Sequence, residues 1–556
     1  MDLEHVLFGL SPFVNDCEEK KLNVDNVYRD SYLKLLDQLA VLLRNPETRN
    51  HELIHSNLNK FIGAGDYLIL NLDNTGYEEL LMELIRVLAN AIADNVVNRE
   101  LLASNTQFIK NLADHLEEHP EEESLNERIL ILLKNLVIDS PDSAKEISFI
   151  SQQVIDYISI TKNDIFAAVD LLTDLVKCMN YKADPQVIES LSIRLYKVLE
   201  NQSNFDDEDE FSELAVSLST ILEDITVNPK FNFNDEVIEQ ILQARFADTL
   251  RLLAKLEFQN KLMARRRIFA SIGNISANLS TSNKSLREVS IQIIKDQNEQ
   301  NGYIVSAAST ILGNSISSAA DRNEVLDQEP QLVDFLLLKY NCLIDPIQFQ
   351  GILHLLKTLM SIDTVGSLFA EKNFKIFVLL IEATVRNSKY YTNFTSLLVA
   401  FLKKTFVLMN KSNVTKIIES DIPQNIIAAD SNVELNTILL LLLNKVVIYL
   451  PNADIKPITT KVLTFKDNIP ASYLFEVTKT IGVLLQHKPD FTLENHTSSL
   501  LTLLTTVNSI DSKSTDNSAK SVLNNGRYIA GSLLTIHKTK PIDADLFAIA
   551  DKVLRK

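Results

Sequence analysis

Glycine and proline are scarce, 12 and 14 residues of 556, together less than half of the roughly 12% that average usage gives. So few breakers argue against a string of compact α/β modules and suit a helical array. Tryptophan is absent, and the three cysteines, Cys17, Cys178 and Cys342, are scattered with no CxxC spacing. That excludes a disulfide framework and fits a reducing compartment. No long hydrophobic run occurs. The most apolar stretch, Ile438 to Leu443, lies between Asn436 and Asn444 and falls far short of the roughly 20 residues of a membrane span. The opening Met1-Asp2-Leu3-Glu4-His5 is acidic where a signal peptide is basic, and the closing Val553-Leu554-Arg555-Lys556 forms no prenylation box. The expectation is a soluble protein of the cytoplasm or nucleus. Gly63-Ala64-Gly65 lacks the Lys-Ser/Thr of a phosphate loop and the third glycine of a dinucleotide loop, and no GxSxG or kinase set is present. The reading is therefore no cofactor, no metal and no catalytic constellation.

What is present is a chain that is 46% hydrophobic and 23% charged, composed to bury a large core. Its formal charge of −19 is uneven: residues 1–250 hold 46 Asp and Glu against 20 Lys and Arg, and residues 251–556 hold 27 against 34. The acidic half repels phosphate backbones and excludes nucleic acid as a natural partner, whereas a basic peptide would be steered toward it. The alternative is that the acid merely keeps a large helical protein soluble.

One unit recurs. It reads at Ile85-Arg86-Val87-Leu88-Ala89-Asn90 with Asn98-Arg99-Glu100-Leu101-Leu102, and at Leu132-Leu133-Lys134-Asn135-Leu136. It returns at Ser271-Ile272-Gly273-Asn274-Ile275 and at Ile311-Leu312-Gly313-Asn314-Ser315 with Arg322-Asn323-Glu324. Asn90 to Asn135 is 45 residues and Asn274 to Asn314 is 40, the period of armadillo and HEAT units. Asp174 and Thr358 stand at the Asn position of weaker units, and helical periodicity runs through 32–43, 214–225, 394–408, 435–450, 474–485 and 528–536. The fold class is all-α: a right-handed superhelical solenoid of armadillo/HEAT-like repeats, at most about 13 of them at about 42 residues each. We read it as one continuous solenoid with an acidic part, 1–250, and a second part, 251–556.

Leu81, Leu84, Ile85, Leu88 and Ile92 make a buried face, while Arg86, Asn90 and Asp94 fall at i, i+4 and i+8 on another stripe. In a stacked array the recurrent Asn would form a ladder along a groove. The candidate partner-binding residues are Arg86, Asn90, Asp94, Asn135, Asp139, Asn274, Asn278 and Asn314. The competing reading is that each Asn braces one repeat against the next. Asp206, Asp207, Glu208, Asp209 and Glu210 form an acidic run near 201–210, expected in a solvated loop and able to steer a basic tail. Residues 508–525, rich in Ser and Asn, are expected in a second loop. Arg265-Arg266-Arg267 is expected in a turn before the Asn274 helix, or against an acidic patch.

His51-Glu52-Leu53-Ile54-His55 matches the HExxH pattern of zinc peptidases, in which two imidazoles one helical turn apart bind zinc. Leu58 and Phe61 stand where the extended form needs Gly and His. The segment Asn50-His51-Glu52-Leu53-Ile54 also superposes on Asn98-Arg99-Glu100-Leu101-Leu102, so an ordinary repeat segment is the expected reading.

Arg86-Val87-Leu88-Ala89-Asn90 with Asn98-Arg99, and Ile352-Leu353-His354-Leu355-Leu356-Lys357-Thr358-Leu359-Met360, resemble the armadillo GDP-dissociation stimulators of small GTPases, the smgGDS family. Leu7-Phe8-Gly9-Leu10 and Tyr32-Leu33-Lys34-Leu35-Leu36 are similar to its fungal bud-emergence branch. The resemblance implies binding of Rho-type small GTPases with polybasic, prenylated carboxyl termini, in chaperoning, exchange or scaffolding, signalling kinases included. It further implies a role in cell polarity and bud emergence. The alternatives are a general armadillo adaptor or a nuclear carrier. A carrier of the importin kind would repeat Trp with Asn, and there is no Trp.

Overall fold

The structure, a computed structural model, describes residues 2–22, 26–178, 184–227, 235–279, 283–429, 433–464, 471–511 and 516–556. The chain divides into two compact units, Met1–Leu279 and Ser280–Lys556. Among the described residues there are helices and no strand.

In each unit helices stack in two rows. The ladder row of the first runs α1 (Asn26–Leu42), α2 (Tyr77–Ile92), α3 (Glu123–Val137), α4 (Phe166–Cys178), α5 (Glu208–Val227) and α6 (Lys261–Ser276), each packed on the next. The second unit repeats this with α7 (Gly302–Asn314), α8 (Phe349–Leu359), α9 (Thr392–Leu408), α10 (Val433–Tyr449), α11 (Ala471–His487) and α12 (Asn517–His537). The six periodic segments read from the sequence each fall on one of these twelve helices, 32–43 and 435–450 running one residue past its end. A second row backs them, in the first unit through Leu3–Glu18, Glu52–Ile69, Thr106–Glu118, Ser151–Ile160, Pro185–Glu200 and Ala247–Lys255.

The residues of α2 show why this row forms. Leu80, Leu81, Leu84, Ile85, Leu88 and Ile92 are each at most 1% exposed, a stripe at helical spacing that only a second layer can cover. Gly76 begins the helix at φ +83°, with the Arg29 side chain where a Cβ would project, so a residue without a side chain is required there. The helix stops at Ile92, and Asp94 follows at φ +51°. Asp139 repeats this after α3 at φ +53°. Asp tolerates the left-handed region better than most residues, which places it just past a helix end. Further along, Ile438 to Leu443 are buried without exception in α10, so the run is a core helix rather than a span. No described helix is long and apolar enough to cross a membrane.

The repeat register differs from the one expected around the HExxH segment. Asn45 caps Pro46–Arg49 as Asn95 caps Val96–Ala103. Arg49 Nη1 donates to the Ala93 carbonyl and Arg99 Nη1 to the Ile138 carbonyl, both at 2.8 Å. Arg49, and not His51, is therefore the counterpart of Arg99. Each guanidinium closes the C-terminal end of the next ladder helix, where carbonyls lack helical partners.

Candidate functional site

The exposed faces of the ladder rows carry the polar residues that the sequence singled out. Asn90 donates from Nδ2 to the Ala40 carbonyl at 2.8 Å, in the last turn of α1. Asn274 donates to Thr226 Oγ1 at 3.2 Å and to the Glu223 carbonyl at 3.4 Å, near the end of α5. These two brace neighbouring helices. The Asn135 side chain, half-buried on α3, makes no hydrogen bond to any described residue, and Asn314 closes α7 half-buried. The second unit keeps the same brace with another residue type: Lys404 Nζ donates to the Lys357 carbonyl at 3.0 Å and Lys445 Nζ to the Val407 carbonyl at 3.0 Å. In both cases the acceptor again lies in the last turn of the preceding ladder helix. A search for recurrent Asn passes over these lysines, because the register conserves the donor and the acceptor carbonyl rather than the side-chain type.

Charges on the ladder row of the first unit are laced between helices. Arg86 pairs with Asp37 of α1 and, at 3.1 Å, with Glu83. Lys134 of α3 sits 2.8 Å from Asp170 and 2.7 Å from Asp174 of α4. Burial opposes its charge, but the two carboxylates outweigh this and hold its pKa above the ordinary lysine value. Arg267 of α6 pairs with Glu223 of α5. Beside it the Asp224 carboxyl is pushed up by burial, against the pull of Arg267 and Lys177. The cations are thus held by at least as many carboxylates, and counted to Leu279 the unit carries −21, against +2 for the rest of the chain.

Several expectations need correction. Asp94 and Asp139 do not continue the Arg86–Asn90 stripe, because the helices end before them. Asp94 is 88% exposed and lies 3.5 Å from Arg49, and Asp139 is exposed. Asn278 lies past the end of α6, exposed, and donates to the Asn274 carbonyl at 2.9 Å. The acidic run is not a free loop. Glu208, Asp209 and Glu210 form the first turn of α5, where negative charge meets the helix dipole, and Asp207 Oδ1 accepts the Asp209 N–H at 2.8 Å. Asp206 and Glu210 line a cavity of about 550 Å³ that Lys162, Arg194 and Lys197 of the same chain also line. Arg265, Arg266 and Arg267 lie within α6 rather than in a turn, and Arg265 donates to the Leu253 carbonyl at 2.6 Å. Residues 508–509 and 517–525 are helical, with 512–515 outside the described residues.

The HExxH residues serve local structure. His51 is the N-cap of Glu52–Ile69, its Nδ1 accepting the Leu53 N–H at 3.2 Å, so it stands outside the helix on which zinc binding would need it. His55 Nδ1 lies 3.2 Å from Asn98 Oδ1. The sequence motif Asn98-Arg99 proves to be a buried clamp: Asn98 Nδ2 donates to the Ala91 carbonyl at 2.9 Å, and Arg99 Nε to the Ile92 carbonyl at 3.1 Å.

Residues 1–226 match the family described as the BEM4 N-terminal domain and residues 244–553 the BEM4 C-terminal domain. The chain is 28% identical over 640 aligned positions to the GTPase-GDP dissociation stimulator BEM4 of Saccharomyces cerevisiae, covering 99% of each. Among solved structures it is similar to the complex of SYS-1 with POP-1, at a TM-score of 0.50 and 9% identity, over 100% of this chain and 99% of that one. It is also similar to SYS-1 alone, at 0.47 and 10% identity over 99% of each. The first likeness supports the all-α solenoid fold.

Proposed function

The chain belongs to the BEM4 family, and on that premise we propose that it regulates small GTPases, acting as a binding partner that alters their nucleotide or membrane cycle rather than as a catalyst. The observation that carries this is the likeness, over 99% of both chains, to a protein named as a GTPase-GDP dissociation stimulator. The finer reading is that the partners are Rho-type GTPases with basic, prenylated tails, acting in cell polarity and bud emergence. The acidic balance of Met1–Leu279 supports it. A cationic tail would be attracted over long range to a face where Asp37, Glu83, Asp170, Asp174 and Glu223 already hold the chain's own cations, and would compete for them. Asn135, whose side chain makes no hydrogen bond to any described residue, is the ladder Asn best placed to meet the partner. The protein would meet such tails in the cytoplasm, with the nucleus as a second compartment, and imaging of a fluorescent fusion checks this.

The test is a binding series with purified Rho-type GTPases, with and without their basic tails, at low and high salt. The reading expects tail removal and added salt each to slow association. Tail-less proteins that associate as fast as the parents would remove the tail from the account. A panel in which no GTPase is retained would overturn the reading as a whole.

A further inference from the structure

The ladder row of the second unit differs in charge from that of the first. Arg322 and, on four successive helices, Lys357 of α8, Lys403 and Lys404 of α9, Lys445 of α10 and Lys479 of α11 bring six cations to one stretch. Few carboxylates accompany them: Glu434 opens α10 and accepts from Ser396 Oγ of α9 at 3.1 Å. Glu476, buried on α11, pairs with Lys403 at 3.1 Å, and Asp363 stands at the edge of a depression of about 690 Å³ lined by Arg322, Lys403 and Lys404. Lys357, Lys404, Lys445 and Lys479 form no ion pair with any described residue. Burial lowers the pKa of Lys404, and Arg322 and Lys357 lower it further; burial and Lys479 do the same to Lys445. Like charges are therefore crowded together without neutralisation, at a cost that an anionic ligand would relieve. The lining of the depression is apolar at Met360, Ile362, Ala400, Val407 and Leu408. Ile362 is 80% exposed and Val407 64%.

We propose that this face is a docking surface for an extended acidic peptide segment of a partner protein that also carries an apolar side chain. The charge selects an anion, and the spacing selects a peptide. Packed helices lie about 8–10 Å apart and an extended chain advances about 3.3 Å per residue, so a carboxylate at every third residue meets one lysine per helix. The open apolar depression at one end of the stripe receives a side chain such as Leu, and its cationic rim holds the acidic residues beside it. This goes beyond the GTPase reading, since it assigns the second unit a partner of the opposite charge to a basic tail.

The experiment uses the full chain and a fluorescein-labelled twelve-residue peptide with Asp at every third position and one Leu, followed by anisotropy. Comparison probes are a peptide of the same composition with its acids bunched, an oligouridine of similar charge and phosphatidylserine vesicles. Lys357→Gln with Lys479→Gln removes two unpaired charges and leaves intact the Lys357 carbonyl that Lys404 uses. Affinity is expected to fall about fivefold for each charge, the upper end for an exposed ion pair. Ile362→Ser, at an exposed position, should weaken binding about tenfold through lost apolar contact, with the melting temperature of both variants within a degree or two of the parent. The proposal is overturned if the spaced peptide does not bind, if the variants bind it as the parent does, or if the bunched peptide, RNA or vesicles bind as tightly. GTPase retention is measured on the same variants and should be unchanged, so failure here is separable from failure of the GTPase reading.

Discussion

Asn90 and Ala40 are joined across two helices of one row, the amide nitrogen of the first 2.8 Å from the carbonyl oxygen of the second. The bond uses an acceptor near a helix end, where carbonyls lack an intrahelical donor. Asn274 reaches the same end of α5 through Thr226 Oγ1, and Lys404 and Lys445 repeat the carbonyl bond with an ammonium. The ladder is therefore first a series of braces.

Asn90→Ala should lower stability by about 1–2 kcal/mol, because the Ala40 carbonyl loses its donor in a partly buried setting. Asn135→Ala should leave stability within about 0.5 kcal/mol and weaken GTPase binding instead. Chemical denaturation and binding on both variants decide between brace and groove: equal stability losses at the two sites would sink the distinction.

Arg99, 6% exposed, holds carbonyls of two helix ends, Ile92 and Ile138. Arg99→Met, similar in length but without donors, should cost roughly 1–3 kcal/mol by leaving the part-buried Ile138 carbonyl without its donor, while the Ile92 carbonyl keeps the Asn95 N–H at 3.2 Å. Lysine, with a single donor centre, should recover only part of the loss. Melting curves that match the parent would refute the clamp.

His354 is half-buried in α8, where desolvation, aided by Lys357, lowers its pKa to about 4. The folded pKa lies below the unfolded value near 6.5, so the unfolded chain binds this proton first. The resulting stability is present above about pH 6.5 and is lost as pH falls toward 4, by at most about 3 kcal/mol. His354→Gln should flatten the difference in stability between pH 7 and pH 4.5. A variant with the same pH slope as the parent would rule out His354 as a source of acid sensitivity.

Gly351 lies where α8 meets α7, and a Cβ there would overlap the Ser306 carbonyl. Gly351→Ala should therefore destabilise by about 1–3 kcal/mol through forced separation of the two helices. Gly366, whose Cβ would meet nothing within 4 Å, is the control, and Gly366→Ala should be nearly neutral in the same denaturation assay.

The fold was legible because helical spacing recurs wherever a helix buries one face: 435–450 and 214–225 each bury one face of a ladder helix as their periodicity implies. Recurrent Asn located the braces at Asn90 and Asn274 but could not distinguish them from a groove, since the acceptors lie about 50 residues away and are a backbone carbonyl at Asn90 and a threonine hydroxyl with a carbonyl at Asn274. Asp94 was misplaced on the stripe because a position eight residues on shares a face only if the helix continues. The lysine end of the ladder was hidden for the complementary reason, that Lys404 and Lys445 fill the same geometric role with different chemistry. The acidic run shows a third, partial failure: composition marks Asp206 to Glu210 as a solvated loop, and all five are exposed, but three of them open a helix.

The pair Lys403–Glu476 spans from α9 to α11 and so passes over an entire helix, whereas the braces link immediate neighbours. When a stack of rods bends, the gap between adjacent rods changes little, while the distance to the rod after next accumulates two rotations. This contact is therefore a strain gauge for the local curvature of the stack: straightening should open it before any brace is stretched, and tighter winding should compress it. Spin labels at the exposed positions 400 and 479 would read that curvature as a distance.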